Sequence, residues 1–309
     1  MILEDRIQAD VSTWRERVNR LTKEHGDFVI SNVTVSQIFS GIRGVPIQVS
    51  DISYVDPEKG IRYRGYTINE ILSLLPKLPD TNYPLVGGVY HLLMGNELPT
   101  MEKALAIENE WKNRSEVPDY VFRIIDSFPE NASTMAMYSA AILSMSSDSK
   151  FSKGYHDSLR KEDYWKAMLD DSLDLTARSP QIAAYIYNKK YRNNEQIGPD
   201  KSLDYAANFA HMIGKGDDPL YADLMRLFIL LHADHDGPSH RPAHRDDVEH
   251  RDRQHRDDRS ERHGVEDPRG DHRGQRGHLG EVAVPQRDGA AVGAEDLRAR
   301  VRDRGARSS

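Results

Sequence analysis

The chain changes character after Gly237, and no single fold can accommodate both sides of that break. From Pro238 to Ser309 there is no Lys, Ile, Phe, Tyr, Trp, Met, Asn or Thr. Arg, Asp, His, Gly and Ala dominate, and seven of the 13 histidines lie there. A stretch without aromatics and with few aliphatics cannot bury enough apolar surface to offset chain entropy. Residues 238–309 are therefore expected to be a disordered Arg/Asp/His-rich tail, with at most a weak helix around 290–302. What folds must be encoded in residues 1–237, room for one large domain at roughly 100–200 residues per domain.

Of the missing types, Lys, Ile, Phe, Tyr, Met and Asn belong to AT-rich codons, and Arg, Ala, Gly and Pro belong to GC-rich ones. A switch this abrupt is what a GC-rich gene yields when read out of frame. A frameshift or mis-joined sequence near codon 237 is one reading of the tail; a natural disordered extension is the other. Translating the downstream DNA in its other frames separates them.

Charge narrows the partners. The tail carries 16 of the 42 basic and 15 of the 49 acidic residues, which leaves the first 237 at a balance of −8. A mildly acidic body offers no basic patch for a nucleic-acid backbone. The absence of cysteine excludes disulfides, thiolate metal sites and thiol nucleophiles. No run approaches the ~18 apolar residues of a membrane span. The N-terminus, MILEDRIQAD, is too acidic for a secretory or transit segment, so a cytoplasmic protein is expected.

The first 237 residues read as mostly helical. Ile7, Val11, Trp14, Val18 and Leu21 share one helical face, ending near His25-Gly26. FVISNVTV reads as β-rich, SGIRGVP as a turn, and ISYVDPEKGIRYRGY as short strands or extended loop. Thr67 and Glu70 form a capping-box pattern ahead of Ile71, Leu72 and Leu75. Pro84, Thr100 and Pro118 each open a helix, the first stopping at Gly95. Residues 133–146 are small and apolar nearly all round, the pattern of a buried helix. Helices are also expected over 161–177, 180–191 and 203–214. Asp218-Pro219 opens the last, with Leu220, Leu224, Leu227, Phe228 and Leu231 on one side.

That helix ends in the most informative stretch, LMRLFILLHADHDG, which delivers His232, Asp234, His235 and Asp236 at its C-terminal end. The dipole there favours a cation. His232 reads as a hydrogen-bonded core histidine. Alternatively, His232 and His235 with the nearby carboxylates suit zinc or iron.

LMRLFILLHADHDG resembles the citrate synthase helix that ends in a His-(Ser/Ala)-Asp-His-Glu/Asp-Gly motif. SGIRGVP and DPEKGIRYRGYTINEILSLLPK resemble that family's N-terminal signature. PLVGGVYHLLMGNELPT, MAMYSAAILSMSSDSKF and LDYAANFAHMIG match it in order and spacing, from about Asp27 to Gly237. The likeness is to the longer type also found in mitochondria. It implies an all-α, multi-helical large domain, incomplete here, in a homodimer that condenses acetyl-CoA with oxaloacetate to citrate and CoA. No cofactor is implied, since acetyl-CoA is a substrate. A 2-methylcitrate synthase would share the scaffold. A non-catalytic helical module with an RNA- or metal-binding tail is the alternative of another class. The tail's near-zero charge speaks against RNA.

By the resemblance, His235 contacts oxaloacetate and Arg43 the CoA phosphates. Arg160 matches a second CoA-contacting arginine, offered to the neighbouring subunit. One extra residue before Tyr164-Trp165 leaves Lys161 as an alternative match. Arg43 and Arg160 also read as ordinary solvated charges. The family's Gly-Pro-Leu-His-Gly, Pro-Gly-Tyr-Gly-His and Asn-Val-Asp-Ala-His motifs do not occur. No catalytic residue and no metal ligand is therefore assigned, and negligible synthase activity is expected.

Overall fold

The computed structural model describes residues 2–41, 45, 50–56 and 58–235. Arg43, the boundary expected at Gly237 and the whole of 238–309 lie outside the described residues.

The architecture is all-α and multi-helical, with one small antiparallel sheet. Helix α1 (Ile2–His25) and the short α2 (Val35–Phe39) precede strands β1 (Ser53–Asp56), β2 (Gly60–Tyr63) and β3 (Tyr66–Thr67). Helices α3 (Ile68–Leu74), α4 (Val86–Gly95), α5 (Met101–Arg114), α6 (Asp119–Asp126) and α7 (Thr134–Ser144) follow. Then come α8 (Lys150–His156), α9 (Tyr164–Tyr191), α10 (Tyr205–Met212) and α11 (Pro219–Leu231).

Local chemistry sets most helix starts. The Thr67 hydroxyl accepts from the Glu70 amide while the Glu70 carboxylate accepts from the Thr67 amide, closing the expected capping box. Asp218 caps α11 by accepting from the Leu220 and Tyr221 amides, with Pro219 in its first turn. At the end of α4 the expected stop at Gly95 falls one residue later. Asn96 takes the left-handed cap (φ 54°), while Gly95 remains helical with Leu3 packed against it.

α4 and α5 pack backbone to backbone. A Cβ on Gly87 would stand 2.6 Å from the Ala104 carbonyl oxygen, so only glycine lets the two backbones approach this closely. Leu3, Ile7, Val86, Ile107, Trp111, Leu169, Leu173 and Ala206 close one apolar cluster over that contact. A second joins Val121, Ile125, Met137, Ala141, Ile182 and Ile186. A third, around Tyr63, Ile71, Leu92 and Leu230, packs the sheet and α3 onto α4 and α11.

Several expectations give way to tertiary contacts. The helices expected over 161–177 and 180–191 are one 28-residue helix running through Pro180. Proline lacks the N–H that would bond Thr176, four residues back. The Tyr205 hydroxyl donates to that orphaned carbonyl at 2.8 Å and so makes the continuous helix tolerable. Among the described residues no strand pairs with 28–34, and Phe28, Val29 and Ile30 are exposed. The helix expected to be buried over 133–146 buries Met137, Ala141 and Met145 but exposes Met135 and Leu143. The stripe on α1 is buried at Leu3 and Ile7 only, and Trp14, Val18 and Leu21 emerge into solvent.

Candidate functional site

His235 stands four residues past the end of α11, so the site is built by whatever fixes that helix. Between β2 and β3 the chain turns through Arg64 (φ 50°) and Gly65 (φ 88°), the positive-φ pair of a two-residue hairpin. An arginine at the first position is unusual there. Arg64 is held because its guanidinium donates to the Leu93 carbonyl near the end of α4 and pairs with Asp51 at 2.9 Å. The hairpin is thereby fastened to α4.

The preceding residue, Tyr63, points into the protein and is fully buried. Its hydroxyl lies 3.0 Å from the Leu230 carbonyl, 3.2 Å from that of Leu231 and 3.3 Å from that of Asp234. The last carbonyls of a helix have no partner within it, and one phenolic proton is shared between two of them and the Asp234 carbonyl just beyond the helix. Burial raises the Tyr63 pKa above its ordinary value, so the hydroxyl keeps its proton and remains a donor.

The N-terminal half of α11 is fixed by charge. Arg226 donates to Asp204 and to Asp223, the latter at 2.8 Å, and all three side chains are buried. Asp223 also accepts from the Asn82 amide at 3.1 Å and from its side-chain nitrogen at 2.7 Å. Burial pushes the Asp223 carboxyl up, but the Asn82 donors and Arg226 outweigh it and hold it below the usual range. Asp204 in turn caps α10. Beneath it, buried Glu108 accepts from the Gly87 amide at 2.8 Å and the Tyr205 amide at 2.7 Å, joining the N-terminal turns of α4 and α10. Burial raises the Glu108 carboxyl to about 7, against the pull of those two donors.

The result leaves the apolar stripe of α11 uncovered. Leu220, Leu224 and Phe228 are 75%, 51% and 52% exposed, while Asp223, Arg226 and Leu230 face inward. Satisfying three buried charges demands one rotation of the helix, and the apolar stripe must take the opposite side. His232, expected in the core, is exposed: its Nδ1 bonds to the Phe228 carbonyl at 2.8 Å and its ring stacks on Phe228 at 4.2 Å.

His235 is exposed, and its amide donates to the Asp234 carboxylate at 2.9 Å. Arg160 lies on a different element, capping the 3-10 turn Lys161–Asp163 ahead of α9. Its side chain is 76% exposed and engaged by Asp163 at 2.7 Å, an ion pair that raises its pKa. Lys161 beside it is exposed, and its carbonyl accepts from Arg15. The structure does not bring Arg160 to His235, and Arg43 is outside the described residues. Among the described residues, no group of three His, Asp or Glu side chains is arranged to hold a metal ion.

Tyr63, Glu108 and Arg226 were not singled out from sequence. Glu108 had a signal: it occupies the apolar stripe Ala104, Ile107, Trp111 of α5, where a carboxylate has to be neutralised from elsewhere. Arg226 had only Asp223, three residues before it on α11, because Asp204 lies on another element.

Scaffold and site together define a class: an all-α large domain that presents a histidine beyond the end of a helix oriented by buried charge. The family model described as citrate synthase, C-terminal domain, matches residues 41–239. Citrate synthase 4, mitochondrial, from Arabidopsis thaliana is 37% identical over 235 residues, covering 76% of this chain and 49% of that protein. A probable mitochondrial citrate synthase from Caenorhabditis elegans is 38% identical, covering 76% of this chain and 50% of its own length. The crystal structure of citrate synthase from Pyrobaculum aerophilum aligns with a TM-score of 0.56 and 27% identity, over 64% of this chain and 47% of that one. The chain belongs to the citrate synthase family. It spans about half the length of the curated relatives it matches.

The relatives' names overturn the expectation of a cytoplasmic protein, since they point to mitochondria. The acidic N-terminus that suggested otherwise is part of α1, where Leu3 and Ile7 are core residues. Its composition therefore reports packing in the fold.

Proposed function

We propose that this chain supplies the oxaloacetate-contacting part of a citrate synthase centre, with His235 as the contact group. The reaction it serves joins acetyl-CoA to oxaloacetate, giving citrate and CoA. One observation carries this reading: His235 occupies the motif position after α11 within the matched residues, and Tyr63 fixes the backbone leading to it. The mitochondrial names of the relatives support a mitochondrial setting.

The chemistry needs more than a binding imidazole. A carboxylate must remove the α-proton of the thioester, and a donor must hold the developing enolate oxygen. Closure must then exclude water. The three family motifs that would supply the base, the second histidine and the enol-stabilising histidine do not occur in these 309 residues. The polypeptide alone is therefore proposed to bind without turning over. In a coupled thiol-release assay with acetyl-CoA and oxaloacetate, release at background is expected; release near that of an intact family member contradicts the proposal.

A homodimer is part of the same reading. The outward apolar side chains of α11 and α7 support self-association, as exposed patches mark interfaces. Sedimentation at graded concentration measures it, and a monomer throughout rejects it. A CoA-phosphate role for Arg160 requires its guanidinium to leave Asp163, a surface pair of little strength.

A further inference from the structure

The hydroxyl of Tyr63 does something packing alone does not require. A phenylalanine would fill the same apolar cluster beside Ile71, Leu92 and Leu230. The oxygen instead reaches across to three carbonyls of the segment that ends at His235, and the Asp234 carbonyl is the one immediately before it. Arg64, the next residue, fastens the hairpin to α4 through the Leu93 carbonyl. One end of the tether is thus rigid, and the other is the last peptide before the imidazole.

We propose that Tyr63 is a positioning residue for His235, holding the Leu230–Asp234 backbone so that the imidazole is presented to oxaloacetate in one orientation. This rests on the reading of His235 as the oxaloacetate contact. Binding then carries less ordering of the segment, because the tether has already restricted it.

The test is an NMR titration of the full chain with oxaloacetate, following the His235 imidazole in wild type, Tyr63→Phe and Tyr205→Phe. The last removes an equivalent phenol-to-carbonyl bond, to Thr176, away from the segment. Tyr63→Phe is expected to bind about fivefold more weakly, the loss of one hydrogen bond's net contribution. Tyr205→Phe is expected to keep wild-type affinity even if it lowers the melting temperature, which a merely structural role for Tyr63 would not explain. A wild-type response with Tyr63→Phe unchanged overturns the role of Tyr63 and leaves His235 standing. No response of His235 in wild type overturns the reading of His235 itself. If Tyr63→Phe does not fold, Cζ-labelled tyrosine in the wild-type chain replaces it. The Tyr63 signal is then expected to shift with the same saturation curve as His235, and a Tyr63 signal that stays fixed while His235 moves overturns the proposal.

Discussion

Helices α5 and α11 bury opposite kinds of face. α5 turns Ala104, Ile107 and Trp111 inward and takes one charge, Glu108, with them. α11 turns Asp223 and Arg226 inward and leaves Leu220, Leu224 and Phe228 outside. The difference lies in what waits for each. α5 meets the glycine-lined face of α4 and the free amides at the starts of α4 and α10, which receive a carboxylate. α11 meets Asp204 and Asn82, which leave no choice of rotation once Arg226 is in place. An apolar stripe names the inward face only where nothing polar already buried has to be matched.

The most severe way to break the comparison is to remove the arginine. Arg226→Ala leaves Asp204 and Asp223 buried without a cation, and a loss of about 3–5 kcal/mol is expected in urea denaturation. A loss under about 1 kcal/mol would mean the helix is not oriented by charge.

Glu108 sharpens the α5 side through pH. Its folded pKa, about 7, is above the ordinary value of 4.5, so protonation favours the folded state. The stabilisation is complete below the ordinary carboxylate pKa and is lost as pH rises through about 7. The shift corresponds to about 3 kcal/mol across that window. His91 acts in the opposite sense: burial lowers its pKa, so its contribution is present above the ordinary imidazole value and is lost as pH falls below it toward the lowered one. The difference between wild-type and Glu108→Gln stability curves isolates the carboxyl. A difference that does not change between pH 5 and 8 rejects the assignment.

Tyr205 links the two regions through α9. Tyr205→Phe should cost about 1–2 kcal/mol by orphaning the Thr176 carbonyl. In a Pro180→Ala background the restored amide can take that carbonyl, so the same change should cost less. Equal costs in both backgrounds would sever the connection between Tyr205 and the unbroken helix.

The smallest effects belong to the outward face. Leu224→Gln should change the stability of the dilute protein by less than about 0.5 kcal/mol. Leu230→Ala, on the inward side, should cost about 2–5 kcal/mol.

What was legible in sequence follows the same division. Thr67 with Glu70 and Asp218 with Pro219 were readable because donor and acceptor lie within three residues of each other. His235 was singled out through the motif that carries it, within the residues the family model matches. The passage of α9 through Pro180 was not, because the compensating hydroxyl comes from 29 residues beyond Thr176. The buried charges that orient α11 were not, because Asn82 stands 141 residues before Asp223. Arg160 was found as a cation, but its engagement by Asp163 depends on the 3-10 turn between them.

The orientation of α11 underlies the site, since it places both Leu230 and the segment that Tyr63 holds. The chain has no cysteine, so single cysteines placed on this helix report without background. In dilute protein, the thiol of Leu224→Cys should react with a maleimide at close to the unfolded rate, and that of Leu230→Cys should be protected until the protein unfolds. The reverse pattern, with Leu224→Cys protected and Leu230→Cys reactive, would mean that the apolar stripe faces inward and that buried charge does not set the helix.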